Sequence, residues 1–429
     1  MPDPHDLIEV SPLEAARDVR HDPYAALRIA NYRSYLTGNL LSTVGANMQT
    51  VAVGWEVYER TGVAMALGWV GLVQALPIML LALPAGQLAD RWNRRRMVMG
   101  SLLLMGGCSL GLAFVSWTQG PVGWIYALLV LGSVGRAFVW PASQAMMTGL
   151  VPREAFSNAV TWKGSVYHFA CVAGPALGGL MIGMQKTATW VYLVDATVTL
   201  SNVIFVYRID AIEPLRMESE ATLKNLFAGF RFVWKTRVIL AAITLDLFAV
   251  LLGGAVALLP IYAKDILRVG PTGLGWLCAA PAAGALGMGI LLSYLPPMKH
   301  AGKALLYAVA VFGIVTIIFG FSHWFWLSLL MLLIGGAADM ISVVVRHSLV
   351  QLRTPDEMRG RVSAVNSVFI SASNELGGFE SGTVAHFFGP VISVVSGGIG
   401  TLIVVALAIG IWPEIKKLGS LNDFGNERA

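Results

Sequence analysis

Gly86-Gln87-Leu88-Ala89-Asp90-Arg91-Trp92-Asn93-Arg94-Arg95-Arg96 joins two long apolar stretches. Residues 64–89 before Asp90 carry no charge, and residues 97–135 after Arg96 carry none either. About 20 apolar residues suffice for a helix to cross the hydrocarbon core of a bilayer. The basic stretch therefore reads as a loop between two membrane spans. The 39 uncharged residues that follow it are too long for one span and divide at the turn Thr118-Gln119-Gly120-Pro121.

Extended along all 429 residues, the same reading gives twelve spans, at 35–58, 64–89, 97–117, 121–148, 157–184, 188–207, 238–262, 272–295, 304–321, 324–347, 362–386 and 389–411. The composition agrees. Hydrophobic residues make up 56% of the chain and charged residues 13%, against about 25% charged in soluble domains. So little charge cannot cover a soluble body of this size. A soluble enzyme, a nucleic-acid-binding protein and a disordered chain are excluded, and the net charge of +5 is assigned to basic loops. The three cysteines, Cys108, Cys171 and Cys278, fall in apolar runs and match no disulfide framework or metal site. Residues 1–34 mix six acids with four arginines and lack a secretory cleavage pattern, so the first span is expected to be retained.

Lys and Arg set the orientation. With the N-terminus inside, cytoplasmic segments hold 23 of the 30, outer loops hold Arg60, Lys186, Lys264 and Arg268, and spans hold Arg136, Lys163 and Arg346. That bias places both termini in the cytoplasm. Trp55, Trp117, Trp124, Trp190 and Trp324 are expected at the outer interface. The chain thus divides into a cytoplasmic segment (1–34), a six-helix bundle (35–207), a linker (208–237), a second six-helix bundle (238–411) and a cytoplasmic tail (412–429). The linker opens with acids and continues as an amphipathic helix, with Leu223, Leu226, Phe227, Phe230, Val233 and Trp234 on one face. It is expected on the inner membrane surface.

The bundles read as copies. Leu67-Gly68-Trp69 returns as Leu274-Gly275-Trp276, and Val151-Pro152-Arg153-Glu154 returns as Thr354-Pro355-Asp356-Glu357, each pair at a matching topological point. Parallel repeats about an axis along the membrane normal place a substrate site near the midplane, between the halves.

The stretch at 86–96 resembles motif A of the major facilitator superfamily, with Gly86, Asp90, Arg91, Arg94 and Arg95 in place and Asn93 where a glycine is commoner. The resemblance implies an all-α polytopic fold of twelve helices in two pseudo-symmetric bundles, and a conformational latch in this loop. Gly174-Pro175-Ala176-Leu177-Gly178-Gly179 resembles the end of motif C, which is associated with exporters that exchange substrate for protons. The bare residues read equally as a Pro-kinked span with small-residue packing. Arg136-Ala137-Phe138, Val194-Asp195-Ala196, Met358-Arg359-Gly360-Arg361-Val362 and Asn374-Glu375-Leu376-Gly377 resemble the enterobactin-exporter-like branch of siderophore and drug efflux permeases.

Ionisable residues in hydrocarbon are costly and mark function or a partner. Glu56, Asp195, Arg346, His347 and His386 lie near span ends, where snorkelling explains them. Arg136 and Asp339 occupy equivalent positions in the repeat. The resemblance implies that spans one, four, seven and ten line the cavity, so the two either pair across the axis or are neutralised each in its own half. Asp246 matches Asn39 and reads as a lone carboxylate, a group whose charge burial disfavours. Asp246, Asp339, Glu375 and Glu380 are the proton-coupling candidates. Lys163 and His168 either counter these charges, contact an anionic substrate or pack.

There is no nucleotide-binding GxxxxGK[ST], no HExxH and no His/Cys cluster. An enzyme is not expected, nor a cofactor. The expected protein is a proton-coupled exporter of a small amphipathic organic compound, siderophore- or drug-like, working by alternating access. It is expected as a monomer in the bacterial inner membrane, with protons, the small-molecule substrate and lipid as partners and no nucleic acid. The alternative is a lipid or lysophospholipid translocase, or a non-transporting membrane sensor, on the same fold.

Overall fold

A computed structural model describes residues 22–209, 223–253, 255–296, 298–417 and 419. Helices account for nearly all of it. The first half is α1 (Ala30–Thr61), α2 (Ala64–Arg91), α3 (Arg94–Trp117), α4 (Val122–Leu150), α5 (Phe156–Gln185) and α6 (Thr189–Tyr207). After α7 (Leu223–Lys235) come α8 (Arg237–Leu252), the one-turn α9 (Leu259–Ile261), α10 (Gly270–Tyr294), α11 (Ala301–Phe321), α12 (Phe325–Arg353), α13 (Asp356–Phe388) and α14 (Pro390–Ile411).

Ten helices are long and apolar enough to cross a membrane among the described residues. α1 and α13, at 32 and 33 residues, are longer than any of the others but more polar, and they pack within the same assembly. Their polarity has a use, because both face the centre of the molecule. The seventh span, expected at 238–262, is present as one membrane-crossing stretch over Arg237–Ile266, but it is not one continuous α-helix. α8 stops at Leu252, beside Gly253, and the chain continues through a tight turn at Ala255–Leu258, then α9, then a wider turn at Tyr262–Ile266.

The hydrophobic cores show how the halves meet. One cluster is continuous across both, from Met48 and Val51 of α1 to Leu259, Tyr262 and Leu274 of the second half. At the opposite end each half has its own core. One gathers Tyr32, Met97, Met146 and Val206, and the other Leu245, Leu305, Val345 and Ala408. The halves are therefore joined at the end carrying the α1–α2 and α5–α6 turns and separate at the end carrying the α2–α3 loop.

α7 is helical as expected. Val233 enters a cluster with Ile239, Ile243, Val362 and Val365, and Phe230 stacks on Phe369. The amphipathic helix is thus seated on the second half, with Trp234 still exposed. The acidic opening of the linker and residues 1–21 lie outside the described residues. Trp117, Trp124, Trp190 and Trp324 are exposed near helix ends, as an interfacial belt requires, whereas Trp55 is buried in the shared core.

Candidate functional site

A cavity of about 550 Å³ lies between the halves. The first half contributes Asn47, Gln49 and Thr50 of α1, Gly71 and Gln74 of α2, and Cys171 and Pro175 of α5. The second half contributes the turn at Ala255–Ala257, Phe312 and Phe319 of α11, Gly335, Gly336 and Asp339 of α12, and Asn374, Glu375 and Gly378 of α13. The broken seventh run therefore places irregular backbone on the cavity wall, where such backbone is tolerated in a membrane. Of α4 only Leu129 reaches the lining, so the fourth helix contributes less than the family resemblance implies. Among the described residues, Asp339 and Glu375 are the charged residues of the lining.

Two polar clusters lie behind this surface. In the first half, Asp195 accepts hydrogen bonds from Ser109 (2.6 Å), Gln49 (3.0 Å) and Thr199 (3.4 Å). Arg136 borders the same small void and donates to Gln74 (3.3 Å), whose side chain belongs to the cavity lining. It is close enough to Asp195 and Glu375 to act on both carboxylates electrostatically. In this conformation Arg136 and Asp339 form no ion pair.

In the second half Asp246 and Arg346 form a salt bridge, both side chains buried. Asp246 is not the lone carboxylate that its position suggests, and Arg346 does not snorkel. The partners are 100 residues apart in the sequence and meet because α8 packs on α12. Asp246, Asp339 and the buried Ser342 border a shared void of about 10 Å³. Asp339 itself makes no hydrogen bond or ion pair with a described residue.

Glu56 and Asp195 also depart from the interfacial reading. Glu56 pairs with Arg60 and accepts from Tyr192 (2.8 Å), and both carboxylates are buried. Distance from a span end does not reveal a partner on a neighbouring helix.

The joined end is built on two crossings of glycine on glycine. A Cβ added to Gly382 of α13 would lie 2.6 Å from the Cα of Gly68 on α2. One added to Gly179 of α5 would lie 2.6 Å from the Cα of Gly275 on α10. Gly68 and Gly275 are the glycines of the repeated Leu-Gly-Trp, and Gly179 and Gly382 sit at the offset of the second repeated motif. The internal repeat therefore generates both crossings. Within the motif C-like stretch, Gly174 and Gly178 face α1, where an added Cβ would meet Asn47 and Met48, while Gly179 and the Pro175 carbonyl face α10. Tyr58 of α1 hydrogen-bonds Asp265, and the Lys264 ammonium lies 5.6 Å from the Tyr58 ring, so polar contacts also join the halves here.

The 86–96 stretch lies at the open end. Asn93 caps α3, accepting from the Arg96 amide (3.0 Å), which gives the departure from glycine a structural use. Arg94 donates to the carbonyls of Ala89 (3.4 Å) and Ala145 (3.2 Å). Arg95 donates to the Tyr207 carbonyl and lies over its ring. A Cβ at Gly86 would meet nothing within 4 Å. The side chains of Asp90 and Arg91 lie outside the described residues. Lys163 donates to Gln144 (2.6 Å) and lies over Tyr35, and His168 packs edge-on against Tyr167. Glu380 accepts from Ser381 (3.3 Å), and the Asn39 carbonyl accepts from the Thr43 hydroxyl (2.7 Å). None of Lys163, His168, Asn39 and Glu380 lines the cavity.

Two helical halves joined at one end around a shared cavity define a multi-pass membrane transporter. The chain belongs to the major facilitator superfamily family described as transmembrane secretion effector, whose model matches residues 21–425. It is 27% identical over 367 residues to the multidrug efflux pump Tap of Mycobacterium tuberculosis (strain ATCC 25618 / H37Rv), covering 80% of this chain and 84% of that protein. It is 23% identical over 390 residues to the enterobactin exporter EntS of Escherichia coli O1:K1 / APEC, covering 90% and 92%. Among solved structures it resembles a bacterial homologue of the human lysosomal transporter Spinster in an inward-facing, occupied conformation (TM-score 0.70, 15% identity, 92% of this chain and 99% of that one). It also resembles a D-xylose–proton symporter (TM-score 0.66, 13% identity, 92% and 99%).

Proposed function

We propose that the protein is a proton-coupled exporter of small amphipathic organic compounds, acting by alternating access in the bacterial inner membrane and catalysing no covalent chemistry. The observation that carries this reading is the cavity: both halves line it, its wall is mostly apolar, and its charged lining residues are two carboxylates. With α1 and α13 counted as spans, the helices number twelve and both termini face the cytoplasm. The structure then corresponds to an inward-facing state, with the glycine crossings as the closed outer gate. In the opposite state the 86–96 loop closes against the second half, which gives Gly86 its purpose.

Asp339 and Glu375 are the proton carriers in this reading. Each is neutralised by one proton, and the side from which water reaches the cavity decides when that proton is taken or lost. Asp246 recedes from the role because Arg346 already compensates it. The test is flux in proteoliposomes. A pH gradient is expected to drive substrate movement, and Asp339→Asn and Glu375→Gln to weaken its dependence on the gradient. Flux indifferent to the gradient and to both substitutions would refute the coupling.

A further inference from the structure

We propose that a groove on α3 and α4 at the open end binds an anionic phospholipid, with Arg96 holding the headgroup phosphate. The groove is separate from the central cavity, and the proposal stands independently of the exporter reading.

The groove measures about 740 Å³, more than the central cavity, and shares none of its lining residues. Its walls are apolar, with Met97 and Leu104 on α3 and Val134 and Phe138 on α4. Gly100 supplies the space, because a Cβ there would meet nothing within 4 Å. Gly135 draws the two helices together beneath it, where an added Cβ would lie 3.1 Å from the Ser101 carbonyl oxygen. From Arg96 to Leu104 the groove follows α3 for about 12 Å, at about 1.5 Å per residue. One leaflet of hydrocarbon is about 15 Å deep, half of the core of about 30 Å. An acyl chain in the groove therefore keeps its ordinary depth, and it restores the dispersion contacts that an empty groove forfeits.

Any lipid tail can fill an apolar groove, so selectivity comes from the mouth. Trp92 is exposed there, as a ring at headgroup level would be. Arg96 stands beside it, exposed, in the first turn of α3. The neighbouring arginines are committed, Arg94 to the Ala89 and Ala145 carbonyls and Arg95 to Tyr207. The Arg96 guanidinium makes no hydrogen bond or ion pair with a described residue. A phosphate diester would occupy its forked N–H donors. The N-terminal dipole of α3 favours the same negative charge. The 86–96 stretch holds four arginines against one acid, Asp90. An ammonium headgroup meets repulsion there, whereas a phosphatidylglycerol brings phosphate without an opposing cation. Charge and shape therefore select the anionic lipid over phosphatidylethanolamine.

The test titrates the purified full-length protein in detergent with dioleoyl phosphatidylglycerol or dioleoyl phosphatidylethanolamine and counts bound lipid by native mass spectrometry. Phosphatidylglycerol is expected to add one saturable lipid at concentrations where phosphatidylethanolamine adds little. Arg96→Gln should weaken that binding by about fivefold or more, and Arg96→Lys should retain part of it. Arg208→Gln, which removes an exposed arginine at the same end but outside the groove, should leave it unchanged. Gly100→Trp fills the groove from a position with free space and should abolish the adduct. Thermal unfolding confirms that each variant is folded. Inorganic phosphate in excess should not displace the lipid, because the tail contributes to binding; displacement by phosphate would make this a free-anion site and overturn the proposal. Equal binding of the two lipids, or an adduct unchanged in folded Arg96→Gln or folded Gly100→Trp, would overturn it as well.

Discussion

Substituting Gly275 by Ala is expected to shift the transporter out of the conformation described here. A Cβ at that position would lie 2.5 Å from the Pro175 carbonyl oxygen and 2.9 Å from the Cα of Gly179. Both are backbone atoms of α5, so no side chain can turn aside. Restoring an ordinary contact of about 3.4 Å requires α5 and α10 to part by about 1 Å. Overpacking of this kind costs about 1–3 kcal/mol. The cost falls only on the state in which this end is joined, so the equilibrium moves toward the opposite state by about 5- to 150-fold. The gain in helix propensity of about 1 kcal/mol for Gly→Ala applies to both states and cancels. Adding Gly382→Ala, which strikes Gly68 at the other crossing, should enlarge the shift. Gly287→Ala on the same helix is the control, because a Cβ there meets nothing within 4 Å.

Spin labels read the result in a background lacking Cys108, Cys171 and Cys278. The exposed positions Lys186 and His323 report the joined end, and Arg153 and His300 the open one. The first distance should lengthen and the second shorten in the double variant, with the Gly287→Ala control superimposing on the parent. Distance distributions identical in parent and double variant would refute the assignment of the glycine crossings as a gate.

The buried Asp246–Arg346 pair gives a stability prediction. Arg346→Met alone should destabilise by about 3–5 kcal/mol, and Asp246→Leu with Arg346→Met should recover most of that; unfolding in denaturant measures both. Asp195→Leu should cost about 1–3 kcal/mol, since Ser109 and Gln49 lose a charged acceptor and keep only the Met105 carbonyl and the Ser109 hydroxyl respectively. The same denaturation series checks it. Gly86→Leu should leave stability within about 0.5 kcal/mol while abolishing flux, because its neighbourhood is empty in this state and filled when the open end closes. Loss of stability equal to the loss of flux would remove the latch from the account. Asn93→Ala should destabilise by about 1 kcal/mol through the lost cap on α3.

What the sequence made legible follows from how local each signal is. Span positions are local, since each needs only a run of apolar side chains, and the helices fall where the runs do. The break after Leu252 is the exception, because one apolar run can fill a continuous helix or a broken one equally well. The Leu-Gly-Trp repeat is legible as duplication, but its use is not. Gly68 meets Gly382 and Gly275 meets Gly179 through contacts between opposite halves. A one-dimensional pattern contains the four glycines without saying which pair.

The buried charges repeat the lesson with more consequence. Depth along a span separated Asp339 from Arg346 and assigned the second to the interface. The structure orders them by partner instead. Arg346 is the deeper in effect, because Asp246 lets it stay charged away from water. Asp339 is two turns earlier on the same helix and has no such partner among the described residues. A membrane protein retains an ionisable residue either because another residue compensates it or because something transient does. Arg346 compensates Asp246 through a salt bridge, and Arg136 supplies one positive charge near both Asp195 and Glu375, so it cannot neutralise the two together. In the proposed coupling, what transiently compensates Asp339 is a proton, taken or lost according to the side from which water reaches the cavity.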